Sequence, residues 1–322
     1  MTVREQARAV PRILILRGGA LGDFILTLPA IRALRRQWPS ASIELIAHPN
    51  IAELAAIAGL INHVRPLSAA GMAEWFVPNR VWPERERNDI ASFDLIISYL
   101  SDSDGVVQAN LRRAGAKLVL TCCPVVSSGH AADHFLSPLK DLDVSPQSQA
   151  APLLPWPEAQ REQARQWLKR QGAGDNVISL HPGSGSSKKN WPIEKFIGLA
   201  NQVQCSLSAQ PLFILGEADT ETAKTLAAQA PAIPVLINRP LPEVGSVLAE
   251  SRGYVGNDSG ITHLAAALGI PVVALFGPTE AAVWGPCGAN VVIIQGHEPT
   301  AEALAAIEPA AVLRALRHSM AK

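Results

Sequence analysis

Short apolar runs alternate with stretches of helical period through the first half of the chain. Runs of the kind that form buried parallel strands cover residues 12–17, 42–47, 63–67, 94–100 and 117–122. Between them a helical pattern runs from Phe24 to Trp38, where Pro29 predicts a local kink. A small-residue helix is expected over residues 50–58, and the proline- and arginine-rich residues 68–90 predict a mostly irregular segment.

The second half of the chain repeats this alternation. Predicted strands cover residues 177–180, 211–215, 234–237, 270–276 and 291–294, with a further short strand from Gly253. Predicted helices cover residues 158–171, 193–203, 220–229 and 241–251, and an alanine-rich helix covers roughly residues 300–319. Strands that alternate with helices predict an α/β protein built on doubly wound parallel sheets.

A change of composition separates the two halves. Residues 144–157 turn to Ser, Gln and Pro, which is typical of a linker between domains. We therefore predict two domains, residues 1–150 and 151–322, with a crevice between them. The length of 322 residues is comfortable for two such domains.

Composition and charge exclude several classes of protein. The chain is 48% hydrophobic and 17% charged, as in a globular protein, and 28 basic residues balance 28 acidic ones. A net charge of zero argues against a nucleic-acid partner. The four cysteines lack the spacing of a zinc site and are expected to be reduced core thiols. They are Cys122, Cys123, Cys205 and Cys287.

The amino-terminal residues and the hydropathy predict the compartment. Arg4, Glu5, Arg8 and Arg12 leave no apolar core for a signal peptide, and no run reaches the length of a membrane span. These features predict a cytoplasmic protein. They leave open peripheral contact with the inner face of the inner membrane.

The most informative stretch runs from Gly253 to Leu264 and reads as a strand, a polar turn and a helix that opens on Ser259-Gly260. The first amides of a helix have no partner within it and, with the helix dipole, can bind phosphate. Asp258 stands beside them, either to bind sugar hydroxyls or simply as the N-cap of the helix.

A second small-residue turn follows the apolar run over residues 270–276. Two such turns at the carboxyl edge of a parallel sheet predict a nucleotide crevice. The predicted diphosphate-binding residues are Ser259, Gly260, Thr262, His263, Pro278 and Thr279. For His263, a buried structural role is the alternative.

A third turn follows the predicted strand over residues 177–180. Ser184 and Ser186 lie in a Gly/Ser loop that continues into Lys188 and Lys189. Such a loop offers amides, hydroxyls and positive charge, so it predicts a phosphate site in which lysine neutralises a leaving diphosphate without a metal. A solvated loop is the alternative.

The loop of Gly18, Gly19 and Gly22 near the amino terminus is not a dinucleotide fingerprint. That motif needs a glycine where Arg17 stands, and an acidic residue at the end of the second strand is missing. Asp23 ends the loop. Its carboxylate is either a helix cap or a general base for an incoming hydroxyl.

Metal binding is not predicted. Asp102 and Asp104 spell the D-x-D motif of another class of sugar transferase, but they lie in a strand-to-helix turn where a helix cap explains them. His181 and His263 lack a second ligand at metal spacing.

Three stretches together resemble glycosyltransferase family 9, the lipopolysaccharide heptosyltransferases. They are residues 16–23 with 27–30, residues 181–183 with 189–192, and residues 257–260 with 263–266 and 276–279. The resemblance spans both domains. It implies a GT-B fold, with two Rossmann-like domains facing a cleft, and metal-independent inverting transfer of a heptose from ADP-heptose. The implied acceptor is a Kdo or heptose hydroxyl of the lipid-linked inner core of lipopolysaccharide.

The resemblance also implies roles for individual residues. Asp23 matches the catalytic aspartate, Lys189 the phosphate-binding lysine and Asp258 the donor-sugar aspartate, while Glu217 lies where the family places an acid near the ribose. The loop of Gly18, Gly19 and Gly22 then belongs to the acceptor-side domain, residues 1–150. Residues 151–322 form the donor domain, whose last helix is a candidate to pack back on the first. No cofactor is implied, since the ADP-sugar is a substrate.

Other functions remain open at this point. The Gly/Ser-rich sequence of residues 184–188 differs from the threonine-bearing loop of the best-known heptosyltransferases of the lipopolysaccharide core. The donor could therefore be another nucleotide sugar, used for a different surface glycan. A nucleotide-sugar binder without transferase activity, or an epimerase, could share the same fold. Asp23 separates these hypotheses, because a protein that only binds the donor needs no carboxylate on the acceptor side.

Overall fold

The computed structural model describes residues 12–68, 71–142, 144 and 152–321. The chain divides into two compact units, Met1–Ser148 and Gln149–Lys322. Each unit is built on one parallel sheet.

The first unit contains a five-stranded sheet in the order β3-β2-β1-β4-β5. The strands are β1 Arg12–Leu16, β2 Ser42–Ala47, β3 His63–Pro66, β4 Leu95–Ser98 and β5 Val119–Thr121. All neighbours are parallel, and Ile13 of β1 stands in register with Ile43 and Leu95. Strands β1 and β4 are buried throughout except at Arg12. Their continuous runs of apolar residues therefore reflect packing on both faces of the sheet.

The described residues of the first unit form six α-helices. They are α1 Leu21–Gln37, α2 Pro49–Ile57, α3 Met72–Trp75, α4 Glu84–Ala91, α5 Val106–Arg113 and α6 Ala131–Leu136. The prediction of a mostly irregular segment over residues 68–90 is wrong for α3 and α4, where buried Trp75 and Ile90 anchor helical turns on the core. Pro29 lies inside α1, which continues as one helix on both sides of it.

The second unit contains a six-stranded sheet in the order β11-β10-β9-β6-β7-β8. Its strands are β6 Val177–His181, β7 Gln210–Leu215, β8 Val235–Ile237, β9 Gly253–Asn257, β10 Val272–Phe276 and β11 Val291–Gln295. All pairs are parallel. Strands β6, β9 and β10 are buried along their whole length and form the centre of this sheet.

Eight α-helices lie within residues 152–321 of the second unit. They are α7 Glu158–Arg170, α8 Ile193–Leu207, α9 Thr220–Gln229, α10 Leu241–Ala249, α11 Gly260–Ala267, α12 Ala281–Trp284, α13 Ala301–Ala306 and α14 Pro309–Met320. The single helix predicted for residues 300–319 is wrong. Glu308 is extended (φ −90°, ψ 140°), as a residue before proline prefers, and this separates α13 from α14. Helix α14 packs on α8 and on strands β9 to β11.

The end of the predicted linker is part of the second unit. Leu154 is fully buried and its amide donates to Ala267 O over 2.9 Å. The indole of Trp156 donates to Ser246 Oγ over 3.0 Å. The linker is therefore shorter than residues 144–157, and its residues 145–151 lie outside the described part of the chain.

The structure shows where the cysteines lie and how apolar the helices are. All four cysteines are free, but Cys123 and Cys205 are exposed, so the expectation of core thiols is wrong for these two. Among the described residues, no helix is both long enough and apolar enough to cross a bilayer.

Candidate functional site

The order of the strands defines a crevice at the carboxyl edge of the second sheet. The chain moves from β6 outward through β7 and β8, then returns to β9 on the other side of β6 and moves outward through β10. Ligands of doubly wound sheets bind where this order reverses, outside the carboxyl ends of the two central strands. These ends are His181 in β6 and Asn257 in β9.

Lys189 and Asp258 meet at this switch point. Lys189 lies in a 3₁₀ turn, Ser187–Lys189, within the loop that follows β6, and Asp258 directly follows β9. Lys189 Nζ donates to Asp258 Oδ2 over 2.8 Å. The Asp258 side chain is 9% exposed and that of Lys189 34%, so the carboxylate is buried and the ammonium reaches it from the more open side.

Helix α11 begins next to this ion pair and is capped by Ser259. Ser259 Oγ accepts from the Thr262 amide over 3.3 Å, which makes Ser259 rather than Asp258 the N-cap. The Thr262 hydroxyl is buried and bonds to Asn257 O, with Tyr254 OH 2.9 Å away. The amides of Gly260 and Ile261 lie in the first turn of the helix and have no intrahelical acceptor. His263 is buried.

Asp219 also belongs to this edge of the sheet. Its Oδ2 accepts from the Gly216 amide over 2.8 Å, and a Cβ added at Gly183 would overlap its carboxylate. Gly183 therefore lets the end of β6 and the loop after β7 approach closely. Nothing local in the sequence distinguished Asp219 from neighbouring acids.

His181, the last residue of β6, places its imidazole against the neighbouring strand β7. Its Nδ1 is 2.8 Å from Ile214 O and the ring is buried. Burial lowers the pKa of His181 below its usual range, although the Ile214 carbonyl and Asp219 act in the opposite direction. The neutral ring donates its Nδ1–H to Ile214 O.

The other residues predicted to bind the donor lie in loops at the same edge. Ser184 Oγ is 2.7 Å from Ser186 O and 2.6 Å from Asn190 Oδ1, so this hydroxyl braces its own loop. Ser186 and Glu217 are exposed. Pro278 and Thr279 follow β10, with Pro278 exposed.

The first sheet has its own switch point, between β1 and β4. The loop of Gly18 and Gly19 leaves β1 there, and α1 begins at Leu21, so Gly22 and Asp23 lie in its first turn. Asp23 Oδ2 accepts from the Ala20 amide over 3.1 Å, which satisfies one helix donor while the carboxylate remains 35% exposed.

Gly19 makes room for this carboxylate. It has φ +90°, and a Cβ there would stand 2.9 Å from Asp23 Oδ2. Any other residue would be strained and would push against the side chain of Asp23.

Arg17 is a buried cation that the sequence did not reveal. Its side chain is 2% exposed, its guanidinium lies over the ring of Phe135 at 4.5 Å, and its Nη2 donates to Asp23 O over 3.0 Å. The same Nη2 is 3.9 Å from Asp23 Oδ1. Burial lowers the pKa of Arg17, and Asp23 acts in the opposite direction. Arg17 therefore places a positive charge beside Asp23.

The first aspartate of the D-x-D sequence, Asp102, binds the amino-terminal end of helix α5. Asp102 Oδ1 and Oδ2 accept from the amides of Val107 and Gln108, each over 3.0 Å, so this carboxylate caps α5. Across the described part of the chain, no group of three or more His, Cys, Asp or Glu side chains is arranged to hold a metal ion.

Solved structures of known proteins share this two-unit arrangement of parallel sheets. A glycosyl transferase of family 9 from Veillonella parvula matches with a TM-score of 0.80 at 20% identity, over 97% of each chain. The Escherichia coli heptosyltransferase WaaC with ADP matches with a TM-score of 0.70 at 21% identity, over 96% of this chain and 99% of that one. These likenesses confirm the expected fold class, GT-B, with two Rossmann-like α/β units.

Sequence comparisons identify the family. The chain is 27% identical to lipopolysaccharide heptosyltransferase 1 of Pseudomonas aeruginosa, over 91% of this chain and 86% of that protein. It is 23% identical to lipopolysaccharide heptosyltransferase 3 of Escherichia coli, over 84% of this chain and 85% of that protein. The model of glycosyltransferase family 9 (heptosyltransferase) matches residues 131–310, more than half of the chain. The chain belongs to glycosyltransferase family 9, and it is a glycosyltransferase.

Proposed function

We propose that this glycosyltransferase moves a heptose from ADP-heptose to a Kdo or heptose hydroxyl of the lipopolysaccharide inner core, with inversion at the anomeric carbon. The observation that carries the proposal is the meeting of Lys189 and Asp258 at the switch point of the second sheet. A cation can pair with the diphosphate of a nucleotide-sugar donor, and a carboxylate can accept hydrogen bonds from its sugar hydroxyls.

Relatives support the choice of donor. Among proteins of the same fold, the Escherichia coli heptosyltransferase WaaC has been solved with ADP and with ADP-2-deoxy-2-fluoro heptose. For this chain we assign the donor to the second unit, with the diphosphate over the start of α11. The proposed donor-binding residues are Ser184, Ser186, Glu217, Asp258, Ser259, Gly260, Thr262, His263, Pro278 and Thr279. Since the Thr262 hydroxyl is bonded internally, its contribution would come through the helix turn that it stabilises.

In the first unit, Asp23 is the proposed general base. Its carboxylate is 35% exposed and therefore open to an acceptor hydroxyl. As the hydroxyl oxygen attacks the anomeric carbon, its proton passes to Asp23 and the bond to ADP breaks. Gly18, Gly19 and Gly22 form the acceptor-side loop that holds this aspartate.

Lys189 carries the proposed role in departure of ADP. Its ammonium would pair with the negative charge that develops on the leaving diphosphate, and a positioned charge of this kind lowers the barrier to the chemical step. We propose that this charge suffices without a metal ion or any other cofactor. We propose that the enzyme works in the cytoplasm and, because the proposed acceptor is lipid-linked, in peripheral contact with the inner membrane. The balance of 28 basic and 28 acidic residues supports the absence of a nucleic-acid partner.

Ligand-induced stabilisation tests the donor. A ligand at 100 times its Kd stabilises a protein by about 2.7 kcal/mol, which is visible as a higher unfolding temperature. We expect ADP-heptose and ADP to raise the unfolding temperature, and UDP-sugars and NAD to leave it unchanged. A shift with UDP-sugars alone would support the second candidate, transfer of another sugar to a different surface glycan.

That second candidate rests on one observation, the Gly/Ser-rich loop over residues 184–188 in front of Lys189. The fold is also shared by a UDP-N-acetylglucosamine 2-epimerase from Listeria monocytogenes, described as putative, with a TM-score of 0.52 at 12% identity. A likeness of this kind shows the fold alone. The non-transferring alternatives, a binder or an epimerase, are tested through Asp23 below.

A further inference from the structure

Asn257 is a fully buried amide at the end of β9. Its Oδ1 accepts from the backbone amide of Trp191 over 3.0 Å, and its Nδ2 donates to the carbonyl of Pro182 over 2.7 Å. Both partners are backbone atoms of another segment of the chain. A buried side-chain amide whose oxygen and nitrogen are both bonded to backbone fixes that backbone in one position.

The two partners of Asn257 flank one loop. Pro182 directly precedes residues 183–190, the loop that carries Lys189, and Trp191 directly follows them. Residues 185–188 at the tip are exposed, and the Ser184 hydroxyl braces the loop from within. Asn257 therefore ties both ends of a loop whose tip has little packing of its own.

Trp191 makes the far end rigid. Its side chain is 1% exposed, packs edge-on against Phe196 with ring centroids 5.0 Å apart, and donates to Ile307 O over 3.0 Å. The Trp191 amide is then held by Asn257, only two residues after Lys189. A change at Asn257 would reach Lys189 through this short path.

The neighbouring residue completes the arrangement. Asp258 follows Asn257 and accepts the ammonium of Lys189 over 2.8 Å. Two consecutive residues at the end of β9 therefore hold the loop over residues 183–190. Asn257 bonds to the backbone on both sides of the loop, and Asp258 bonds to the side chain of Lys189.

We propose that Asn257 is a positioning residue that sets where the Lys189 ammonium lies for the donor diphosphate. This inference rests on the proposed function, since it takes Lys189 to be the group that meets the diphosphate. Asn257 itself is buried and acts through the loop.

A double-mutant cycle with ADP as the probe tests the proposal. ADP affinity is measured by calorimetry for wild type, Asn257→Ala, Lys189→Ala and the double variant, and Asn257→Ser provides a second variant that is too short to reach both partners. Asn110→Ala is the matched control. Asn110 is also fully buried, and its Nδ2 donates to the carbonyls of Trp75 and Val77 in the first unit.

We expect Asn257→Ala to weaken ADP binding about 10-fold when Lys189 is present and to have little effect when it is absent, as for residues that act through one another. Asn110→Ala should leave ADP affinity unchanged. Equal losses in the two backgrounds, or wild-type affinity in Asn257→Ala and Asn257→Ser, would overturn the proposal.

Amide hydrogen exchange gives a readout that needs no nucleotide. Asn257→Ala or Asn257→Ser should speed exchange in residues 183–191 while Asn110→Ala does not. If exchange there stays at the wild-type rate, the inference fails whatever the enzyme binds. If wild type binds no ADP, the proposed function fails instead, and the exchange result still decides whether Asn257 holds the loop.

Discussion

The ammonium of Lys189 lies 2.8 Å from Oδ2 of Asp258, although the two are 69 positions apart in sequence. This pair joins the loops that follow the two central strands of the second sheet. The buried carboxylate of Asp258 holds the lysine at the switch point, where the donor diphosphate is proposed to bind.

Removing this charge should affect turnover more than folding. Lys189→Ala is expected to lower kcat by roughly 10²- to 10³-fold, the scale for loss of one positioned partner of the transition-state charge. Stability should fall by only about 1 kcal/mol, because Asp258 loses its partner but the lysine is partly exposed. Steady-state kinetics and urea unfolding measure the two effects.

Lys188→Ala is the matched control, since Lys188 is an exposed neighbour in the same loop. Its turnover should stay close to wild type. Equal effects of the two substitutions would show that only the net charge of the loop matters, and wild-type kinetics in Lys189→Ala would remove Lys189 from the mechanism.

Chelation tests the metal-free mechanism. With Lys189 as counter-charge, transfer should continue unchanged in EDTA, as measured by release of ADP. An activity that EDTA abolishes and Mg²⁺ or Mn²⁺ restores would contradict this. In that case Asp102→Asn and Asp104→Asn would show whether the D-x-D sequence is involved, beyond the helix cap that Asp102 provides.

The buried His181 should make stability depend on pH. Burial lowers its pKa in the folded protein below the ordinary value of 6.5, so the unfolded chain binds the proton more readily. The contribution of His181 to the free energy of unfolding is fully present above about pH 6.5. It is lost as the pH falls from there towards the folded-state pKa of His181. Urea unfolding at several pH values should show this decline.

The decline should be smaller in His181→Gln. His297→Gln serves as the control, because it removes an exposed histidine in place of the buried one. If the free energy of unfolding of His181→Gln falls as steeply as that of wild type below pH 6.5, another group is responsible.

Much of the fold could be predicted from local pattern. The central strands of both sheets, β1 and β4 in the first and β6, β9 and β10 in the second, are buried almost throughout and therefore appear in the sequence as continuous apolar runs. The helix start at Ser259-Gly260 is visible from its small polar residues. The alanine-rich composition of residues 300–319 favours one continuous helix, so the break before α14 was not predicted. Pro309 marks that break, because the residue before a proline disfavours helical geometry.

The contacts that build the candidate site could not be predicted in this way. The pairing of Lys189 with Asp258, the approach of Gly183 to Asp219 and the two bonds of Asn257 all depend on which strands are neighbours in the sheet. Strand order is a long-range property that no local pattern contains. Arg17 was missed for a related reason, since its burial depends on Phe135, far away in sequence.

We propose that the protein transfers a heptose, with Asp23 as the base. A sugar hydroxyl is a weak nucleophile at neutral pH, so its proton must be removed as the new bond forms. Asp23→Asn keeps the size of the side chain and an oxygen for the Ala20 amide but loses the basic carboxylate. Folding and ADP affinity should therefore change little, while turnover should fall by about 10²- to 10⁴-fold. Asp102→Asn, a capping carboxylate of the same unit, is the control.

The most direct measurement is mass spectrometry of a Kdo-bearing lipid acceptor incubated with ADP-heptose and enzyme. Wild type and Asp102→Asn should add one heptose to the acceptor and release ADP, and Asp23→Asn should add it at the greatly reduced rate while still binding ADP. An acceptor that gains no heptose from wild type, on Kdo or on a heptose-bearing core, would contradict the proposed function. Near-normal transfer by Asp23→Asn would contradict the assignment of the base.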